Sequence, residues 1–223
     1  MIPNLSPDID LAARLFDALR ARSFDGVGIT REAYGPGERM AHALVREAAG
    51  EIGLEIAVDP IGNMTMTLPG SDRAAKRIVL GSHLDSVPQG GNFDGAAGVL
   101  CGLTVAAGMR RAGFTPARDV TVMAIRAEEA GAWFPTSYPG SRGALGMLKP
   151  QDLEVRRMDT ERTLADHMRE EGFDPGFALR GERSMGPDSV AAFLEFFNDT
   201  ATTEIYTLIV VGIAESAVCK ITH

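Results

Sequence analysis

Apolar residues recur at helical spacing from Ile9 to Arg22, through Leu11, Leu15, Phe16 and Leu19, and this predicts an amphipathic helix. Glu38 to Ile52 repeats the pattern through Met40, Ala43, Leu44 and Ala48 and predicts a second helix. The period then shortens to two. Leu54–Val58 and Asn63–Leu68 each alternate apolar and polar positions on either side of Asp59-Pro60-Ile61-Gly62, a turn sequence, so the pair predicts a hairpin. Arg77–Gly81 and Asp119–Ile125 are short, apolar and β-branched, as expected of strands covered on both faces. Between them Gly95–Arg111 is a proline-free run of small residues that predicts a closely packed helix. Strand, helix, strand in this order is a βαβ unit, and the fold class expected is α/β, a mostly parallel sheet flanked by helices. Asp159–Glu171 predicts a further helix, and Ser189–Glu195 also carries helical spacing.

Composition narrows the field. A chain of 223 residues, 45% hydrophobic and 23% charged, is long enough to bury a core without a disulfide or metal staple. Its net charge of −8 repels a phosphate backbone, so no nucleic-acid partner is expected. No apolar run reaches the about twenty residues of a membrane span, and the N-terminus has acidic residues where a secretion signal is basic, so a cytoplasmic protein without a membrane partner is expected. Two cysteines cannot form a disulfide framework; Cys101, in an apolar run, is expected to be a small buried residue.

The candidate chemistry sits just past the two parallel strands. In Gly81–Gly95 (GSHLDSVPQGGNFDG), His83 and Asp85 come directly after the first strand, and Asp94 is framed by Gly90, Gly91 and Gly95. Ligands in open α/β sheets bind at the carboxyl ends of strands. An imidazole there offers a metal a neutral nitrogen, and a carboxylate two residues on can hold the ring. In AIRAEEAGAW, Glu128 and Glu129 come after the second strand; one of two adjacent carboxylates can bind a cation while the other faces a substrate as general base. A His-x-Asp alone is common by chance, and a Glu-Glu pair is most often a solvated helix face. The combination after two successive strands is much rarer, and its donor set suits Zn²⁺ or Mn²⁺. Asn63 is expected to shape its turn, Ser141 and Arg142 to form site wall, His42 to be an ordinary surface or core histidine, and His167 to join Asp166 and Glu170 in surface ion pairs.

GSHLDSVPQGGNFDG and, further on, EEAGAWFPTSYPGSRGALG resemble the signatures of the N-carbamoyl-L-amino-acid hydrolase and allantoate amidohydrolase family, within the dinuclear aminoacylase and carboxypeptidase superfamily. The upstream stretch from Gly28 to Gly70 is similar in order and spacing, so the resemblance covers roughly Leu11 to Glu195, the N-terminal part of such a protein. It implies a dinuclear zinc-peptidase-like catalytic domain that hydrolyses a non-peptide C–N bond in an N-carbamoyl amino acid, ureido acid or allantoate, a small-molecule substrate. A dipeptidase or aminoacylase of the same superfamily, or a non-catalytic fragment, is the alternative. By resemblance His83 and Glu129 are ligands of different metals, Asp94 bridges them, Glu128 is the general base, and Asp85 orients His83.

The pattern breaks after Glu195, where the family has a segment like Leu-His-Ile-Glu-Gln-Gly and this chain has Phe196-Phe197-Asn198. Residues 198–208, NDTATTEIYTL, resemble a translated sequencing adapter. The expected organisation is therefore 1–195 as the N-terminal part of a hydrolase domain and 196–223 as a non-native tail, with His223 no ligand. The family's lid, which also makes its homodimer interface, is expected to be absent. The intact parent would hold two divalent ions, Zn or Mn; this fragment would hold one or none and be inactive.

Overall fold

The computed structural model describes residues 5–196 and 208–211. Helix α1 (Ile9–Ser23) starts where the Asp8 carboxylate accepts the Leu11 N–H. Helix α2 (Pro36–Ile52) has proline in its first turn and ends on Gly53 in the left-handed region (φ 80°), which a glycine adopts without steric cost. The hairpin comes next as β1 (Glu55–Val58) and β2 (Met64–Leu68), antiparallel with Ala57 opposite Thr65. Strand β3 (Arg77–His83), helix α3 (Ala96–Arg111) and strand β4 (Val120–Ile125) form the βαβ unit, with β3 and β4 parallel neighbours. After β4 the chain makes a 3₁₀ turn at Glu128–Ala132 and the short helices α4 (Pro139–Ala144), α5 (Pro150–Leu153), α6 (Leu164–Glu170) and α7 (Gly176–Leu179). It returns to the sheet as β5 (Val190–Phe196), and β6 (Leu208–Val211) lies beside it.

The sheet order is β1-β2-β4-β3-β5-β6. An α/β sheet with flanking helices is what the sequence predicts, but "mostly parallel" holds only at its centre. There β4, β3 and β5 run parallel; β2 is antiparallel to β4, and β6 to β5. A hairpin joined to the edge of a parallel sheet must put one of its strands in antiparallel, which makes the sheet mixed.

The main core lies on one face, where Leu15 and Leu19 of α1, Val45 and Ala48 of α2 and Val99 and Leu103 of α3 meet Met66 of β2 and Val122 of β4. Small residues on α3 make this contact close: a Cβ at Gly98 would stand 2.6 Å from Ser82 Cβ, and one at Gly102 would stand 2.9 Å from Val122. On the opposite face Met123, Ile125, Val79, Val190, Phe193 and Ala144 form a smaller cluster, so all of β4 is buried. A third cluster gathers around Trp133, Phe134, Leu164 and Met168.

Four expectations need correction. Ser189–Glu195 is strand, not helix. A bulge between β3 and β5, where Arg77 pairs with Val190 but Ile78 with Ala192, puts Val190 and Phe193 into one apolar cluster, three residues apart. That spacing imitates a helix. The helix expected over Asp159–Glu171 begins only at Leu164, because Thr163 and Asp166 form a capping box there. Cys101 is exposed, on the outer side of α3. His167 is buried, bonds Thr160 Oγ1 at 2.8 Å and meets the Phe134 ring edge-on, so it is a packed residue and not part of a surface ion-pair array. His42 is a core residue. Cys219, His223 and most of the tail lie outside the described residues.

Candidate metal centre

The carboxyl ends of β3 and β4 are adjacent, because His83 pairs with Ile125 across the parallel ladder. The segments that leave the two strand ends therefore meet at one place. His83 ends β3 with 5% of its surface exposed. Its Nδ1 lies 3.0 Å from the Asp85 carbonyl oxygen and 3.3 Å from Asp85 Oδ1, an arrangement in which Nδ1–H donates and Nε2 is left for a ligand. Gly95 makes room for this ring: it has φ 59°, and a Cβ there would collide with the imidazole.

The loop between His83 and Asp94 is held by a buried arginine. Arg31 Nε donates to the Leu84 carbonyl at 2.5 Å, and Arg31 Nη2 donates to the Asp94 carbonyl at 2.8 Å. Trp133 Nε1 donates to the Ser86 carbonyl at 2.9 Å, which ties the loop to the turn after β4. Asp94 is 3% exposed, with Oδ1 3.9 Å from His83 Nε2. On the other side, Glu128 Oε2 stands 3.6 Å from His83 Nε2. One ligand atom from each of His83, Asp94 and Glu129 falls within 4.8 Å of the others, the span of a shared cation. Asp85, fully buried, also accepts the backbone N–H groups of Glu128 and Glu129, at 3.1 and 3.0 Å. One carboxylate thus fixes the histidine of one strand and the glutamates of the next.

The electrostatics are those of crowded, desolvated acids. Burial first, then the neighbouring carboxylates, pushes Glu128 and Glu129 up to about 7, against the ordinary 4.5. Burial also raises Asp94, with His83 and Arg31 opposing. For His83 burial alone would depress the value, but Asp85, Glu128 and Asp94 outweigh it and lift the ring to about 10. A divalent cation would relieve this crowding, and one His with two carboxylates is a donor set such a cation accepts.

Two residues absent from the sequence expectations face the same place. Glu195 on β5 is buried, pushed up to about 7 by that burial, and feels the charge of His83. Its sequence signal was hidden by the reading of 189–195 as helix. Tyr138, half exposed and with φ 54°, has its hydroxyl raised first by the charge of Glu128 and then by burial and Glu129. Asn63 shapes its turn through two bonds to Asp59, at 2.8 Å each, and reaches the Gly140 carbonyl at 3.1 Å. Arg142 pairs with Asp152 at 2.5 Å and joins α4 to α5.

Known proteins resemble this chain in sequence and in fold. Residues 63–160 match the model of Peptidase family M28, a stretch that includes His83, Asp85, Asp94, Glu128 and Glu129. The chain is 38% identical over 169 residues to an N-carbamoyl-L-amino acid amidohydrolase of Geobacillus stearothermophilus, covering 75% of this chain and 40% of that protein. It is 31% identical over 181 residues to the allantoate amidohydrolase of Bacillus subtilis, covering 81% and 42%. Among solved structures, a hydantoinase/carbamoylase family amidase from Burkholderia ambifaria superposes with a TM-score of 0.70 at 30% identity, over 85% of this chain and 45% of that one. The chain thus spans 40–45% of the length of these relatives. On sequence and on fold it is similar to the matching part of the N-carbamoyl-L-amino-acid and allantoate amidohydrolases.

Proposed function

We propose that the whole protein represented by this chain is a metal-dependent amidohydrolase that cleaves a non-peptide C–N bond of a small N-carbamoyl amino acid, ureido acid or allantoate. The observation that carries this reading is the meeting of His83, Asp94 and Glu129 within 4.8 Å, with Glu128 alongside, in a chain similar to enzymes of those names. His83, Asp94 and Glu129 would hold the ion, Zn²⁺ or Mn²⁺ by donor type, two ions in the whole protein and one or none here. When bound, the ion supplies Lewis acidity to the scissile carbonyl and to the attacking water. Glu128, whose carboxylate stands 3.6 Å from His83 Nε2 beside the ligand set, accepts the proton of that water and returns it to the leaving nitrogen. Asp85 keeps the His83 ring and the glutamate backbone in register while this happens.

We read residues 196–223 as not native to this domain and the family's lid and dimer interface as belonging to sequence not represented here. The reading frame of the gene past Glu195 tests this: a His-Ile-Glu-Gln-type segment supports it, and an uninterrupted continuation into the present tail defeats it. The activity is tested on the protein carrying the gene's own continuation, by ammonia release from N-carbamoyl amino acids and allantoate, before and after chelation and metal return. The match to a peptidase family supports a second reading, a dipeptidase or aminoacylase. Turnover of dipeptides with no ammonia from carbamoyl or ureido acids would decide for it.

A further inference from the structure

Four consecutive backbone N–H groups at the end of β4 are accepted by side chains from distant parts of the chain. Asn63 Oδ1 takes that of Arg126 at 2.9 Å, Glu38 Oε1 that of Ala127 at 2.7 Å, and the Asp85 carboxylate those of Glu128 and Glu129 at 3.1 and 3.0 Å. Glu38 stands out among the three. It lies in the first turn of α2, is wholly buried, and is neither a candidate ligand nor a partner of one. Its Oε2 accepts the Tyr34 N–H at 2.8 Å and faces Arg126 Nη1 at 3.2 Å.

Both residues whose N–H groups Glu38 accepts have left-handed backbones, Ala127 with φ 54° and Tyr34 with φ 46°. A residue with a Cβ adopts that conformation at a cost and keeps it only where its surroundings impose it. A buried carboxylate paired with a buried arginine is also poor value as a stabiliser, since a well-packed apolar pair often does as well. Holding two strained residues at once is a task that an apolar pair cannot perform.

We propose that Glu38 is a positioning residue for the metal centre: by gripping left-handed Ala127 it fixes the direction in which Glu128 and Glu129 leave β4. The proposal rests on the reading of Glu129 as a metal ligand. A metal site tolerates misplacement of only about 0.5 Å, and the residue directly before the glutamate pair is where such an error would enter.

The test uses the full 223-residue chain and the variants Glu38→Gln and Glu38→Asp, each alone and combined with Ala127→Gly. Glutamine keeps the volume but offers one acceptor oxygen where two are used; aspartate keeps the charge but draws it back by a methylene. In metal-free protein, amide hydrogen exchange of residues 127–129 is expected to speed up about ten-fold or more in both, while that of β3 and α3 stays unchanged. Zn²⁺ affinity by calorimetry is expected to fall about 10–100-fold, the usual effect of losing a group that supports a ligand. Ala127→Gly is expected to restore most of it, because glycine takes the left-handed conformation unaided. A role in general stability predicts no such rescue. Wild-type exchange and affinity in both Glu38 variants would overturn the proposal. So would a loss of affinity, or of folding, that Ala127→Gly leaves unrepaired. If the unaltered chain binds no Zn²⁺, as its missing ligands allow, affinity is compared in the protein carrying the gene's own continuation; failure to bind there defeats the ligand reading of Glu129, and the exchange rates alone then decide whether Glu38 holds the turn.

Discussion

Gly95 and Glu128 show how differently two residues of one site can fail. Gly95 has φ 59° and packs its bare Cα against the His83 ring. Gly95→Ala should therefore cost about 1–3 kcal/mol through backbone strain alone. It should also tilt the imidazole, so both denaturant melts and Zn²⁺ calorimetry should register it. Glu128→Gln, by contrast, removes a proton acceptor from a carboxylate cluster and leaves the ring alone. In the protein with its native continuation it should lower kcat by about 10²–10⁴-fold while the metal content of the purified protein is unchanged. A Gln variant that loses its metal would assign Glu128 to the ligand set instead. At this scale the sequence is informative about residue type and silent about support. The strand-end His-x-Asp and Glu-Glu are visible as a pattern, and their convergence is required once β3 and β4 are neighbours. Arg31, Glu38 and Asn63 each act through one or two hydrogen bonds to backbone more than fifty positions away, and nothing in their local sequence marks those partners.

Helix α3 lies against the sheet because two of its glycines leave space for Ser82 and Val122. Gly102→Leu should overfill that contact and cost about 1–3 kcal/mol, read as a lower denaturant midpoint. Gly50 in α2 provides the control: it is solvent-exposed and a Cβ there meets nothing within 4 Å. Gly50→Ala should stabilise the protein by about 0.4–1 kcal/mol, since the unfolded chain loses freedom and the folded one loses nothing. If both substitutions destabilise equally, close approach is not what the α3 glycines provide. The elements that were legible, α1, α2, the hairpin and the βαβ unit, are those whose apolar period matches their burial. β5 was not, because its bulge replaces a period of two with a spacing of three. The same irregularity concealed Glu195, which β5 carries to the site.

For the molecule as a whole, the acid cluster sets a pH dependence with a definite sign. Glu128, Glu129, Glu195 and the buried Glu38 all lie near 7 when folded, above the ordinary 4.5. The folded chain therefore binds more protons than the unfolded one, and the stability these groups contribute is present at low pH and lost as pH rises through about 7. His83, raised to about 10, adds a loss that begins above its ordinary 6.5. Buried His42 is depressed and acts in the opposite sense, but only below 6.5. Melting in the presence of a chelator should thus show Tm falling from pH 6.5 to 8.5. Zn²⁺ should stabilise more at the upper end, because binding must displace protons from His83 and Glu129. A chelated protein whose Tm rises across that window would contradict the account of the cluster. The 223-residue chain itself should release no ammonia from N-carbamoyl amino acids or allantoate at a useful rate, with or without added Zn²⁺ or Mn²⁺. Loss of orientation alone can remove about 7–11 kcal/mol from catalysis. Robust turnover would show that no further ligands are needed. Among the described residues no helix is long and apolar enough to cross a membrane.

Trp133 is the single tryptophan of the chain. Its indole N–H bonds the Ser86 carbonyl, 2.9 Å away in the loop that carries Asp94, and its ring lies under the Arg157 guanidinium, 4.9 Å from the ring centroid. Any rearrangement of that loop changes the polarity around the indole. The protein therefore carries its own optical probe: its ultraviolet emission should shift in wavelength or intensity as Zn²⁺ is added, saturate at the stoichiometry of the site, and return on chelation, with no label and no second tryptophan to dilute the signal.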